Sequence, residues 1–202
     1  MTPKRKTREA SGTYQLKVTL QSIRPAIWRR IQVPASITLN QLHEIIQEAM
    51  GWSNYHLHLF EIGAMTYTAP GMDETWEDME SRDEDDTQFH LQDVLTRSGQ
   101  KLRYTYDFGD GWDHAIVVEK ILPADSGARY PLCVAGKRAC PPEDCGGPYA
   151  YEELLEALGD PRHERHEELT EWVGGEFDPE AFDLNDVNNR LKTILPKSRR
   201  KA

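Results

Sequence analysis

The chain has 202 residues and a mass of 23.2 kDa, enough for one domain of ordinary size. Hydrophobic residues make up 38% and charged residues 29%, the balance of a globular chain with a polar surface, and no stretch approaches the roughly 18 apolar residues of a membrane span. The net charge of −10 is uneven: residues 1–10 carry +3 and residues 197–202 carry +4, which leaves −17 on the rest. An acidic body argues against DNA binding across the main surface, whereas the basic tails can touch nucleic acid or an acidic partner.

The polar start Met1-Thr2-Pro3-Lys4-Arg5-Lys6 lacks the apolar segment of a secretory signal, and three cysteines do not make a disulfide framework. Both features lead us to expect a cytoplasmic protein. The expected organisation is a basic tail over residues 1–13, one domain over 14–195 and a second basic tail over 196–202.

Tyr14 to Leu20 alternates apolar and polar residues, the pattern of a half-buried strand, and Ile27 to Val33 follows as a second strand ended by Pro34. Thr38-x-x-Gln41 forms a capping box for a helix with Leu39, Leu42, Ile45, Ile46 and Ala49 on one face, stopped at Gly51. His56 to Ile62 and Met65 to Thr68 read as a hairpin turning at Gly63-Ala64. Residues 73–86 hold nine acidic side chains and one arginine, so an exposed, mobile loop is expected there.

Leu91 to Leu95 predicts a short helix. Lys101 to Phe108 and Trp112 to Leu122 predict a hairpin joined through Gly109-Asp110-Gly111. Residues 123–148, crowded with Pro, Gly and Cys, predict an irregular loop. Three helices end the chain: one with Tyr151, Leu154, Leu155 and Leu158 inward, one starting at Asp160-Pro161 with Trp172 inward, and one capped by Asp183. The order ββαββαββ followed by helices implies an α+β fold with a mixed or antiparallel sheet and a helical C-terminal portion.

Several strings match a known family in order. They are Ile27-Trp28-Arg29-Arg30-Ile31, then Gly51-Trp52 with His56 to Phe60, then Tyr104 to His114 with Glu119, then Pro141-Pro142-Glu143-Asp144-Cys145-Gly146-Gly147-Pro148-Tyr149. Over roughly residues 14–195 the chain resembles the plasmid pRiA4b ORF-3-like family, which includes transposon passenger proteins. The resemblance implies a compact α/β roll, an association with mobile elements and no established activity. The passengers carry a resolvase-like name, but no serine-recombinase nucleophile context is present to carry that activity over.

Three constellations can carry chemistry. His56 and His58, two apart on a predicted strand, leave one face about 7 Å apart, close enough to share a metal or merely to pack side by side. If Asp110-Gly111 fills a two-residue turn, Asp107 opposes His114, which either orients a catalytic imidazole or pins two strands together. With Asp110 and Asp113 nearby, such a turn can hold a divalent cation. Cys133, Cys140 and Cys145, spaced C-x6-C-x4-C, either converge on a zinc ion with His114 or a carboxylate as fourth ligand, or are small buried residues.

The Pro141–Gly147 string marks a site or a tight packing corner. His163-Glu164-Arg165-His166-Glu167 fails the zincin test because its histidines are three apart instead of four. No Walker loop, dinucleotide fingerprint or G-x-S-x-G elbow is present.

No complete nucleophile–base–oxyanion set emerges, so the leading expectation is a non-catalytic interaction or accessory module with an unidentified protein partner. The competing expectation is a metal-dependent hydrolase or nuclease using His56, His58, Asp107, Asp110 and His114. A third is nucleic-acid binding through the basic tails.

Overall fold

The computed structural model describes residues 12–70, 83–123, 125 and 127–194. Eight strands form one sheet: β1 (Gly12–Leu20), β2 (Trp28–Pro34), β3 (His58–Ile62), β4 (Met65–Thr68), β5 (Asp83–Asp85), β6 (Lys101–Tyr106), β7 (Trp112–Pro123) and β8 (Leu132–Lys137). Their spatial order is β5-β4-β3-β6-β7-β1-β2-β8. Every pairing is antiparallel except β4 with β5, which is parallel. Five helices complete the chain: α1 (Leu39–Met50), α2 (Leu91–Val94), α3 (Gly147–Gly159), α4 (His166–Trp172) and α5 (Leu184–Leu191). This is the expected α+β fold with its helical C-terminal portion. No described helix is long and apolar enough to cross a membrane.

Alternation sets the core. On β2, Arg29, Ile31 and Val33 are buried while Trp28, Arg30, Gln32 and Pro34 are partly exposed, and β7 alternates in the same way from Trp112 to Val118. The capping box at Thr38 and Gln41 forms as expected, and Gly51 ends α1 in the left-handed conformation with φ 94°. Leu39, Leu42, Ile45 and Ile46 of α1 are fully buried with Leu16, Ile31, Phe60 and Ile116 of the sheet. Helix α5 packs against α1 and β8, and α4 packs against α3.

Four expectations change. Asp83–Asp85 is an edge strand and Asp86 is fully buried, so residues 83–86 are not an exposed loop; residues 73–82 lie outside the described residues. Residues 123–148 contain the strand β8, because the exposed edge of β2 offers a ladder that composition does not reveal. The second C-terminal helix starts at His166, after turns, not at Asp160-Pro161. Trp172 is 47% exposed, not inward. Both expected basic tails begin or lie among residues outside the described range, and β1 starts at Gly12.

Candidate functional site

Three connections meet at one end of the sheet: residues 51–57 after α1, residues 107–111 between β6 and β7, and residues 138–146 before α3. They are tied mostly by bonds involving side chains. Trp52 Nε1 donates to Pro141 O at 3.0 Å. Ser53 N donates to Glu143 Oε2 at 3.1 Å, and Tyr55 N donates to Tyr106 Oη at 3.1 Å. That phenol donates in turn to Glu143 Oε1 at 2.5 Å. Burial and the adjacent Glu143 carboxylate raise the Tyr106 pKa, which keeps it a donor. Gly146 N donates to Asp110 Oδ2 at 3.1 Å.

The connection between β6 and β7 is longer than the two residues expected. Asp107 takes φ 55° and Gly111 φ 69°. Asp107 Oδ1 accepts from Gly109 N at 2.9 Å and Asp110 N at 3.3 Å, and its carbonyl accepts from Gly111 N at 2.6 Å. The side chain mimics a turn and uses five residues, 107–111. The register consequently pairs Tyr106 with Trp112 and Tyr104 with His114. Asp107 does not oppose His114. The proposed pair is therefore absent, and its two members serve different places.

His114 is fully buried, with Nδ1 3.3 Å from Tyr104 O and its Nε2 without a partner among the described residues. Burial lowers its pKa to about 4, so it is neutral at pH 7. It lies edge-on to Trp52.

His56 and His58 separate because β3 starts at His58 and His56 sits in the bend before it. His58 points inward. Its Nε2 is 2.7 Å from Asp86 Oδ2, and its ring stacks on His43 at 3.5 Å between centroids. His43 bonds Tyr104 Oη and Asn54 Oδ1, each at 2.7 Å. Burial and the neighbouring His58 lower the His43 pKa to about 3. Sequence reasoning missed both His43 and Asp86. The apolar stripe of α1 signals its buried face but not that His43 shares it, and Asp86 was lost in the acidic run.

His56 faces outward, with Nε2 2.8 Å from Asp144 Oδ1 and 3.7 Å from Asp107 Oδ2. Among the described residues these three form the one group of three or more His, Cys, Asp or Glu residues whose ligand atoms all lie within 4.8 Å of one another. Asp144 was missed as a site residue, although the Pro141–Gly147 string signalled its loop. Asp110 supports the neighbouring loop from outside this group.

The three thiols have separate surroundings. Cys133 lies buried on β8 with Sγ toward Ala135 O. Cys140 Sγ contacts Arg29 Nη2 at 3.3 Å and Met50 Sδ at 3.2 Å. Cys145 has its pKa pushed up to about 12 by burial and by Asp110, so it is a poor nucleophile. All three are free.

Beside Asp144 a groove of about 480 Å³ runs between α3 and α4. Ala150, Leu169 and Trp172 supply apolar surface above the buried Leu154, and Asp144, Glu153, Glu168 and Glu171 supply carboxylates. Arg165 is the one cation lining it, bonded to Glu153 at 2.9 Å and Glu168 at 2.7 Å.

The motif strings read from the sequence build all three connections. The family model described as plasmid pRiA4b ORF-3-like protein matches residues 12–186. The chain belongs to this family. It is 41% identical over 194 residues to the uncharacterized protein y4hQ of Sinorhizobium fredii, covering 95% of this chain and 97% of that protein. It is also similar to the crystal structure of a protein of unknown function, MM3350, from Methanosarcina mazei Go1. That match has a TM-score of 0.78 and 42% identity, and covers 87% of this chain and 97% of that one. These ORF-3-like relatives bring no activity with them, so function rests on the geometry of this chain.

Proposed function

We propose that this ORF-3-like protein is a non-catalytic interaction module that receives a basic, amphipathic segment of a partner protein. The observation that carries the reading is the α3–α4 groove, where apolar surface is bordered by four carboxylates and only one guanidinium. Burial of a partner's aliphatic side chains against Ala150, Leu169 and Trp172 supplies affinity. The carboxylates speed encounter and select Lys or Arg over acidic residues. Exposed Tyr149, 88% accessible at the start of α3, lies on the same helix as Ala150 and Leu154 and extends the surface available to a partner.

An accessory role on mobile elements fits this chemistry, because proteins that handle nucleic acid carry Lys- and Arg-rich segments. The hydrolase alternative draws less support. Of its five residues, His56 and Asp107 come together, whereas His58 and His114 are buried and Asp110 accepts from a backbone amide.

The test uses a labelled peptide of alternating Lys and Leu helical faces, an equivalent Glu/Leu peptide and duplex DNA, each titrated against the full chain. The basic peptide is expected to bind, to weaken with salt and to lose about tenfold in affinity with Trp172→Ala or Glu171→Lys. Equal binding of both peptides, or unchanged binding by both variants, refutes the reading. DNA binding that disappears with the two basic tails would favour the nucleic-acid alternative instead.

A further inference from the structure

We propose that His56, Asp107 and Asp144 form a binding site for a first-row divalent transition cation, typified by Zn²⁺. The site stands on different observations from the groove and does not depend on a partner.

The first observation is distance. Metal–ligand bonds of ~2.1 Å place neighbouring ligand atoms ~3.0 Å apart in an octahedron and ~3.4 Å apart in a tetrahedron. His56 Nε2 is 2.8 Å from Asp144 Oδ1 and 3.7 Å from Asp107 Oδ2. Both His56 separations lie within 1 Å of these values, and the Asp107 and Asp144 ligand atoms lie within 4.8 Å of each other.

The second observation is the division of labour within Asp107. Its side chain is nine-tenths buried. Oδ1 is committed to two backbone amides, whereas Oδ2 makes no hydrogen bond among the described residues and faces His56. A largely buried carboxylate fixed through one oxygen by the backbone, with its other oxygen turned toward an imidazole nitrogen just beyond hydrogen-bond reach, is a ligand held ready. Asp144 lies at the opposite extreme. Its side chain is 66% exposed, so the remaining coordination positions open to water and to the α3–α4 groove, which Asp144 also lines.

The donor set selects the class of ion. One imidazole nitrogen with two carboxylate oxygens suits Zn²⁺, Mn²⁺ or Co²⁺. Ca²⁺ asks for six to eight oxygens and Mg²⁺ prefers to keep its waters. Coordination needs the Nε2 lone pair. In the neutral imidazole the proton shifts to Nδ1 as the metal takes the place of the Nε2 proton now shared with Asp144; from the imidazolium one proton leaves to solvent. Two aspartates then neutralise the charge of the ion.

The deciding experiment is calorimetric titration of the full chain, stripped with chelator, with ZnCl₂, and separately with CaCl₂. The expected result is about one equivalent of Zn²⁺ with Ca²⁺ at least about a hundredfold weaker. His56→Gln and Asp144→Asn each weaken Zn²⁺ by at least about tenfold, while the triple variant Cys133→Ser, Cys140→Ser, Cys145→Ser binds as the wild type does. Mn²⁺ is expected to broaden the His56 ring resonances before those of His90. Binding below stoichiometric level overturns the proposal. So does affinity that survives His56→Gln, or that disappears in the cysteine variant. Thermal unfolding of each variant separates loss of ligand from loss of fold.

Discussion

Acidification is expected to strike this fold through two histidines held neutral in its core. The unperturbed imidazole pKa is about 6.5, and burial brings His43 to about 3 and His114 to about 4. A base with a depressed folded pKa binds fewer protons folded than unfolded, so stability is complete above pH 6.5 and falls as pH drops toward the folded value. Between pH 7 and pH 5 each of these histidines costs about 2 kcal/mol, because the unfolded imidazoles take protons that the folded ones refuse. Together they remove about 4 kcal/mol, a large share of the 5–15 kcal/mol typical of a domain. Urea unfolding at pH 7 and pH 5 measures the drop. In His114→Leu the drop is expected to shrink by about half, whatever the absolute stability of the variant. The Nε2 of His114 has no partner to lose among the described residues, so the substitution removes little else that depends on pH. Equal drops in wild type and His114→Leu would refute a buried, neutral His114.

Three further perturbations test the frame around the site. In Gly147→Ala the new Cβ would sit 2.4 Å from the Asp110 carbonyl oxygen at φ 82°; denaturant unfolding should show a loss of more than about 2 kcal/mol. Arg29 is 3% exposed and donates to the carbonyls of Ala49, Trp28 and Lys137 while lying over the Phe182 ring. Arg29→Lys cannot reproduce that fork, and roughly 2–3 kcal/mol should be lost in the same assay. Asp86→Ala strips His58 of its buried partner, with an expected cost of roughly 3 kcal/mol; an unchanged urea midpoint would show that the contact is energetically empty.

What was legible in the sequence was whatever local chemistry decides. Thr38 and Gln41 announced α1 because a capping box satisfies its own backbone groups without help from elsewhere. Gly63-Ala64 announced its hairpin for the same reason. What tertiary pairing decides was hidden. Asp83-Glu84-Asp85 has no strand propensity, yet it is held as a strand by the ladder of β4. Leu132 to Lys137 is a strand because β2 presents an open edge, and Gly136 is needed there because a Cβ would come within 2.5 Å of the Phe182 ring. The candidate site was half legible. His56 and Asp107 were readable as chemistry-bearing residues, but their partnership depends on Asp144 from a loop 37 residues further along than Asp107, which no periodicity connects to them.

The backbone at that site explains why a short polar side chain, Asp or Asn, stands at two of its three positions. Asn54, Asp107 and Asp144 all take the left-handed conformation, with φ 57°, 55° and 57°. Such a conformation costs roughly 1–2 kcal/mol for most residues and less for Asn and Asp, whose short polar side chains bond locally. The strain is over-determined by the contacts of Trp52 with Pro141, Tyr55 with Tyr106, and Asp110 with Gly146. Asparagine would satisfy the backbone at 107 and 144 equally well, as Asn54 does, and its amide oxygen can still accept from Gly109 and Asp110. It would not supply charge. Asp→Asn at these positions therefore separates the two duties: the fold should survive, and any function that needs two carboxylates beside His56 should not.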